Sequence, residues 1–229
     1  MTMMTSSIRS FDAQVAGPFS PLRTVEVFAD VRCPFAYVGL LRFVEKRREV
    51  GASDVSLVVR AWPLELVNGV PLDAGLMSQK VRALRDQVAP SLFSGFDERA
   101  FPATSMPALR LEAWARRQSA DAGERVSFAL RSAMFEHGRD IADVEVLRDI
   151  AASCGVDDPV PISDNDVIED WLAGKQRGVV GSPHFFAAEG HWFCPSLTIT
   201  HADGGLRMSD NRDGLDRFAA ICLGGGDLR

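Results

Sequence analysis

The chain has 229 residues and a formal net charge of −6, and 46% of its residues are hydrophobic and 24% charged. These proportions are those of an average globular protein, and a chain of this length can bury a large core without disulfides or metals. The acidic excess argues against nucleic acid or an anionic membrane surface as a partner. No apolar run approaches the roughly 20 residues of a transmembrane helix, so a membrane-spanning protein is excluded as well.

The start of the chain and its cysteines predict a cytoplasmic location. Residues 1–22 are polar and contain Gly and Pro, and they lack the apolar core of a signal peptide, so we expect a flexible arm. The four cysteines are too few and too scattered for a disulfide scaffold. A cysteine with a function is therefore expected to act as a thiol. The four are Cys33, Cys154, Cys194 and Cys222.

The first regular elements are a strand, a helix and a second strand. Apolar and polar residues alternate over residues 24–31, which predicts a strand. Pro34 in a first turn and Gly51 past a last turn predict a helix over about 33–50. Residues 55–59 are mostly apolar and β-branched, as in a buried strand. This order favours a parallel sheet with a right-handed crossover.

The middle of the chain has the helical period of apolar residues, and the last part returns to strands. The spacing predicts four or five helices, and thus a helical insertion over about 70–178. Glu189 and Gly190 are predicted to join two strands, 183–188 and 191–200, as a hairpin. A turn at 203–205 and a short strand follow, and the chain is predicted to end in a helix from Arg212 to Leu223. We therefore expect an α/β fold: one domain over 23–229, interrupted by the insertion.

Cys33 is the most informative candidate residue. It follows the end of a predicted strand and begins a helix, where unpaired amides and the helix dipole favour a thiolate. This position predicts a lowered pKa and a nucleophilic sulfur. The alternative is that Cys33 is a small buried hydrophobic residue.

A second candidate element is the glycine-rich segment 178–182, which leads into Pro183 at the head of a predicted strand. If that strand lies beside the first one, Pro183 is opposite Cys33. About one X–Pro bond in twenty is cis in folded proteins. A cis bond here would turn the backbone of Ser182 toward a bound peptide or thiol.

Together these residues resemble the thioredoxin fold, and the long helical insertion resembles the DsbA-like family. Residues 30–39, DVRCPFAYVG, resemble the FrnE-like branch of that family, with its pattern D-x-x-C-P-W-C-Y-x-G. Residues 134–156, MFEHGRDIADVEVLRDIAASCGV, support the resemblance, and residues 179–185, VVGSPHF, resemble the family's cis-proline loop. The resemblance implies a thioredoxin fold, βαβ followed by ββα, and an oxidoreductase.

Two departures from the family pattern change the expected mechanism. Phe35 stands in place of the Trp, and Ala36 in place of the second cysteine, which would resolve a mixed disulfide on Cys33. The resemblance therefore implies a monothiol enzyme in which Cys33 is the nucleophile and an external thiol such as glutathione releases it. We expect the residues around the thiol to contact the ligand: Pro34, Phe35, Ala36, Tyr37, Ser182, Pro183 and His184.

Two other functions stay open at this point. Kappa-class glutathione transferases and 2-hydroxychromene-2-carboxylate isomerases have the same fold and hold a glutathione thiolate with a Ser at the position of Cys33. The chain is thus either an oxidoreductase, a glutathione-dependent isomerase or transferase, or a binding module without chemistry. No tightly bound cofactor is expected. The expected partners are a small thiol or a protein disulfide, and a homodimer is compatible with the sequence.

Three weaker predictions concern single residues. Cys194, predicted opposite Phe185, is a candidate distant resolving thiol; the alternative is a strand cysteine too far away for a disulfide. Asp30 is a candidate proton shuttle, although its charge would raise the pKa of Cys33 and a turn contact is the alternative. His184, His191 and Cys194 lack the second ligand pair of a zinc site, so no metal is expected.

Overall fold

A computed structural model of the chain describes residues 23–157, 163–202 and 205–224. The predicted N-terminal arm and the first two residues of the predicted turn at 203–205 lie outside this part of the chain.

A four-stranded sheet with the order β2-β1-β3-β4 forms the centre of the fold. Strands β1 (Arg23–Ala29) and β2 (Val55–Ala61) are parallel and joined by helix α1 (Pro34–Glu49). Strand β3 (His184–Ala187) is antiparallel to β1, and β4 (Gly190–Phe193) is antiparallel to β3. The predicted α/β architecture, βαβ followed by ββα, is confirmed.

The helices between β2 and β3 form the predicted insertion. Five of those described fall within the predicted helical stretch, and a short helix and a 3₁₀ turn accompany them. In chain order they are α2 (Leu64–Asn68), α3 (Ala74–Gln87), the 3₁₀ turn Glu98–Ala100, α4 (Met106–Gln118), α5 (Ala120–Phe135), α6 (Val144–Ser153) and α7 (Asn165–Gln176). Among the helices that the structure describes, none combines the length and apolar composition needed to cross a membrane.

The two faces of the sheet are covered by different helices. Val25, Val27 and Ala29 of β1 pack with residues of α1 and of the last helix, α8 (Arg212–Leu223). The alternate residue Phe28 packs on the other face with Trp62, next to α7. The period of two in the β1 sequence therefore sorts its side chains between two helical layers, as the alternation predicts.

The end of β4 differs from the sequence prediction. Strand 191–200 is predicted as continuous, but it breaks after Phe193, where Cys194 adopts a φ of 45°. The chain then forms a separate two-stranded sheet of β5 (Leu197–Ala202) and β6 (Gly205–Asp210). A left-handed residue followed by a proline cannot extend a ladder, so the strand ends at this point.

The hairpin also has a different register. The connection between β3 and β4 is Ala188–Glu189, one residue earlier than predicted, because Ala187 pairs with Gly190. Each pairing therefore moves by two residues, and Phe185 lies opposite Trp192 rather than Cys194. The amide of Cys194 instead donates a hydrogen bond to the carbonyl oxygen of Pro183, at 3.0 Å.

The contact between α7 and β2 gives a stability prediction. A Cβ atom at Gly174 would lie 2.5 Å from Cζ3 of Trp62 and 3.0 Å from Cδ1 of Phe28. Gly174→Ala should therefore force the helix away from the sheet and lower the free energy of unfolding by about 1–3 kcal/mol. Urea denaturation measures this change. Gln176→Ala, at an exposed position of the same helix, serves as the control, and equal stability of the two variants would refute the close packing.

Candidate active site

Cys33 is the N-cap residue of α1, as the sequence predicts. Its backbone is extended (φ −80°, ψ 114°), and Pro34 begins the helix. The Cys33 side chain makes no capping hydrogen bond to the first turn of the helix. The amides of Ala36 and Phe35 nevertheless act to lower the pKa of its thiol, as expected at a helix N-terminus.

The Cys33 thiol lies against the proline loop, which is the segment 178–182 together with Pro183. Its Sγ donates a hydrogen bond to the carbonyl oxygen of Ser182, at 3.2 Å. The peptide bond between Ser182 and Pro183 is cis. The structure therefore brings together the two elements, helix start and proline loop, that the sequence singles out as one site.

The predicted lowering of the Cys33 pKa is wrong. Only 4% of the residue is exposed, and this burial raises the pKa of the thiol above its ordinary value. Ser182 and the amides of Ala36 and Phe35 act to lower the pKa of the thiol, while the Asp30 carboxylate raises it. Desolvation outweighs the helix N-terminus because a charged sulfur would lose nearly all contact with water.

The proline loop is held against the start of α1 by close packing and one hydrogen bond. The amide of Asp30 donates to Oγ of Ser182, at 3.0 Å. On the next turn of the helix, a Cβ atom at Gly39 would lie 3.2 Å from Cγ of Pro183. A glycine at position 39 therefore lets α1 approach Pro183 closely, and this approach sets the Cys33–Ser182 contact.

A buried ionic network fixes the turn in front of Cys33. The Asp30 carboxylate accepts hydrogen bonds from the amides of Arg32 and Leu64, at 2.8 and 2.7 Å, and from the Ser105 hydroxyl at 3.3 Å. The Arg32 guanidinium, fully buried, donates to a carboxylate oxygen of Glu65 at 2.8 Å and to the carbonyl of Pro102 at 3.1 Å.

This network ties the Asp30–Cys33 turn to the helical insertion. Burial raises the pKa of Asp30, and the Arg32 charge opposes that effect. The Asp30 carboxylate therefore holds the turn together. This is the alternative that the sequence analysis names beside the proton-shuttle role. Glu65 and Ser105 are absent from the sequence predictions because they are 33 and 73 residues from Arg32 and no local pattern joins them to it. Arg32 itself, the one cation in the motif of residues 30–39, was the available signal.

The two residues after Pro34 differ in their exposure. Ala36 is completely buried and places a methyl group where the family pattern has a second sulfur. Phe35 is half-buried, and the Lys80 ammonium lies 6.0 Å from its ring centroid. Of the residues in this helical turn, Phe35 is the one open to a ligand.

His184 positions the proline loop rather than a ligand, which corrects the sequence prediction. Its ring is buried, and Nδ1 accepts a hydrogen bond from the Val180 amide at 3.2 Å. Nε2 therefore carries the proton and donates to Nδ1 of His191, at 3.0 Å. Burial, followed by the nearby His191 and Arg177, lowers the pKa of His184 to about 4. A neutral His184 thus anchors the segment 178–182 from the face opposite Phe185.

Tyr37 also departs from its predicted role at the thiol. Its ring stacks on Phe135 at 5.2 Å and lies edge-on to Phe93 at 5.8 Å. Burial and the Glu136 carboxylate raise its pKa. Tyr37 therefore packs α1 against the helical insertion.

The other cysteines are placed as follows. Cys194 is 6% exposed, and burial together with the charge of Cys33 raises its pKa to about 12. Cys222 is buried in α8 and Cys154 is the C-cap residue of α6, as expected for packing residues. Over the described ranges, no group of three or more His, Cys, Asp or Glu residues is arranged to hold a metal ion.

Comparison with solved structures shows the same fold in several proteins. The chain resembles the cytosolic disulfide reductase DsbM from Pseudomonas aeruginosa (15% identity, TM-score 0.58), over 86% of this chain and 98% of that one. It resembles a probable DsbA oxidoreductase from Streptomyces coelicolor (18%, 0.61) over 90% and 93%, and 2-hydroxychromene-2-carboxylate isomerase (15%, 0.55) over 74% and 88%. At these identities the likeness concerns the fold alone.

Family assignment rests on a direct sequence match. No curated protein matches the chain. Residues 24–203, however, match the family described as DSBA-like thioredoxin domain, and this range includes Cys33, the helical insertion and the proline loop. The chain therefore belongs to the family of DSBA-like thioredoxin domains.

Proposed function

We propose that this chain catalyses thiol–disulfide exchange through the single active thiol of Cys33, with a low-molecular-weight thiol such as glutathione as second reactant. The family is one of oxidoreductases and isomerases, which makes the chain an enzyme of that broad class. The observation that carries the proposal is the 3.2 Å contact between the Cys33 sulfur, at a helix N-terminus, and the Ser182 carbonyl beside Pro183. DsbM has been solved with GSH, which supports a small thiol as partner.

The proposed cycle consists of two exchanges at one sulfur. The Cys33 thiolate attacks a disulfide that contains glutathione, forms a mixed disulfide with the glutathione sulfur, and releases the other sulfur as a thiolate. An external glutathione thiolate then attacks the glutathione sulfur, which releases glutathione disulfide and restores Cys33. An external thiol is needed because Ala36 offers no sulfur in the same helical turn.

Burial of the thiol implies that a ligand takes part in its activation. The Cys33 thiol donates to the Ser182 carbonyl, and this bond stabilises the protonated form. A ligand amide that donates to the same carbonyl would displace the thiol from its acceptor. The sulfur would keep the amides of Phe35 and Ala36, which favour the thiolate, so docking would lower the pKa of Cys33.

One observation favours a second candidate function, that of a glutathione-dependent isomerase. The Cys33 group is a protonated hydrogen-bond donor in this structure, as a serine hydroxyl would be. Such a donor can hold a glutathione thiolate without forming a disulfide. The cytoplasmic location, and the expectation of no tightly bound cofactor, remain predictions for either function.

Substitution of Cys33 separates the two functions. In an assay with a glutathionylated peptide and excess glutathione, Cys33→Ser should lose exchange activity to the background rate, because a hydroxyl cannot form a mixed disulfide. Coupled reduction of the glutathione disulfide produced measures the rate. Cys154→Ser, at the end of α6, is the control. Full exchange activity in Cys33→Ser would refute the proposal, whereas glutathione-dependent isomerisation of 2-hydroxychromene-2-carboxylate that survives this change would support the isomerase.

The raised pKa predicts the pH dependence of Cys33 alkylation. Only the thiolate reacts with iodoacetamide, so the rate should rise with a midpoint above that of the same cysteine in the unfolded chain, which is about 8.5. Peptide mapping after timed alkylation measures each cysteine separately. S-methylglutathione, which has no thiol, should lower the midpoint for Cys33 but not for Cys222. A midpoint in the free protein below the unfolded value would contradict the dominance of burial.

Restoring the missing sulfur should change the product. With glutathione disulfide, Ala36→Cys should form a disulfide between Cys33 and the thiol introduced at position 36, because the two thiols lie in the same helical turn. Mass spectrometry of the cross-linked or internally oxidised peptide detects it. Ala36→Ser, which has a similar volume but no sulfur, is the matched control. Absence of this bond in a folded Ala36→Cys chain would show that Cys33 does not occupy the geometry of a C-x-x-C site.

A further inference from the structure

We propose that Cys194 is a resolving thiol for this site, which forms a disulfide with Cys33 when external thiol is scarce. This inference rests on the proposed function, because Cys33 must first take up a thiol from a disulfide. In the family pattern, the cysteine at the position of Ala36 resolves the mixed disulfide. The inference assigns this role to Cys194, which follows β4.

The two cysteines are hydrogen-bonded to consecutive residues of the proline loop. The Cys33 sulfur donates to the carbonyl of Ser182 at 3.2 Å, and the Cys194 amide donates to the carbonyl of Pro183 at 3.0 Å. The observed hairpin register thus brings Cys194 two residues closer to the head of β3 than the sequence predicts. Cys33 and Cys194 are therefore hydrogen-bonded to the carbonyl groups of two consecutive residues.

Residues of α1 pack with each of the two cysteines. Cys33 lies in a cluster with Leu40 of α1 and with Phe185, whose cross-strand partner Trp192 packs against the same cluster. Cys194 follows Trp192 by two residues, and Pro183 precedes Phe185 by two and contacts the helix at Gly39. Cys194 belongs to the same packed cluster as Val38 of α1. Cys33 and Cys194 therefore belong to two different clusters, and Phe35 of α1 packs against both.

The Cys194 turn is held in place from α1. The Leu197 amide donates to the Cys194 carbonyl at 3.3 Å, and Arg42 of α1 donates to the Ser196 carbonyl at 2.7 Å. Cys194 keeps a φ of 45°, a conformation that costs a non-glycine residue free energy and persists where surrounding contacts impose it. The Ser196 hydroxyl, which lies beside Gly39 and Pro183, is buried without a hydrogen-bond partner. The turn therefore leaves one of its polar groups unsatisfied in this arrangement.

The electrostatics favour attack in the correct order. Burial, followed by the charge of a Cys33 thiolate, raises the pKa of Cys194. A mixed disulfide on Cys33 carries no charge on that sulfur, so the second contribution disappears after the first exchange. Cys194 then loses its proton more easily than it does beside a Cys33 thiolate, at the point when its own thiolate is required.

The chemistry balances with glutathione disulfide as the oxidant. In the first step the Cys33 thiolate attacks the glutathione disulfide and releases one glutathione thiolate. In the second step the Cys194 thiolate attacks the Cys33 sulfur, forms the Cys33–Cys194 bond and releases the other glutathione thiolate. Two protein thiols are oxidised, and one glutathione disulfide is reduced to two glutathione molecules.

The test is to treat the full chain with glutathione disulfide, without reduced glutathione, then to alkylate free thiols and map the peptides. We expect a peptide linked through Cys33 and Cys194, with Cys154 and Cys222 alkylated and little glutathione retained. Cys194→Ser should retain at least about tenfold more glutathione, on Cys33. Cys194→Ala should behave in the same way, and Cys222→Ser, at an equally buried cysteine, should behave as the wild type.

The outcomes distinguish this inference from the function on which it rests. If the wild type retains glutathione on Cys33 as fully as Cys194→Ser and no linked peptide forms, Cys194 is not the resolving thiol, while the exchange function stands. If neither chain forms an adduct or a link at Cys33, both proposals are wrong. A disulfide from Cys33 to another cysteine also overturns the inference. Mapping of the wild type decides the question alone if the variants do not fold.

Discussion

The hydrogen bond from the Cys33 thiol to the Ser182 carbonyl is the contact on which the site depends, since it joins two elements that are far apart in sequence. It forms because β1 and β3 are neighbours, which aligns the start of α1 with the head of β3. The approach requires the small residue Gly39 against Pro183. It also requires the turn after β1 to keep its shape, which the buried network of Asp30 and Arg32 ensures.

Two opposing effects act on the Cys33 sulfur, and their balance decides how the site works. A helix N-terminus favours negative charge by roughly 0.3–1 kcal/mol, or about 2 kcal/mol when partly buried, whereas removal of a charge from water costs more unless it is fully compensated. Here the sulfur is almost entirely buried, and this loss of hydration outweighs the helix N-terminus and raises the pKa of the thiol. The donors at the helix start remain available, so exchange of the Ser182 acceptor for a ligand would shift the balance without any change in the fold.

The sequence predicted the features that depend on local periodicity and on the family pattern. These are the positions of α1 and α8, the parallel β1–β2 pair, the N-cap position of Cys33 and the placement of Pro183 against the start of α1. It failed where tertiary contacts decide. Burial of Cys33 depends on packing from both halves of the chain, the Arg32–Glu65 pair spans a loop that no local pattern reveals, and His184 and Tyr37 turn away from the thiol to pack against other elements. A one-residue error in the hairpin connection was enough to misplace Cys194.

A second sulfur located after a strand has different properties from one on the same helical turn. In a C-x-x-C site both sulfurs move with one helix, so their separation is set by local geometry. Here Cys33 belongs to α1 while Cys194 begins the turn that leads through Ser196 into β5. Formation of a bond between them would tie the start of α1 to that turn. The redox state of the site would then be coupled to the position of the β5–β6 sheet. That sheet also contacts α3, through two hydrogen bonds of Gln87.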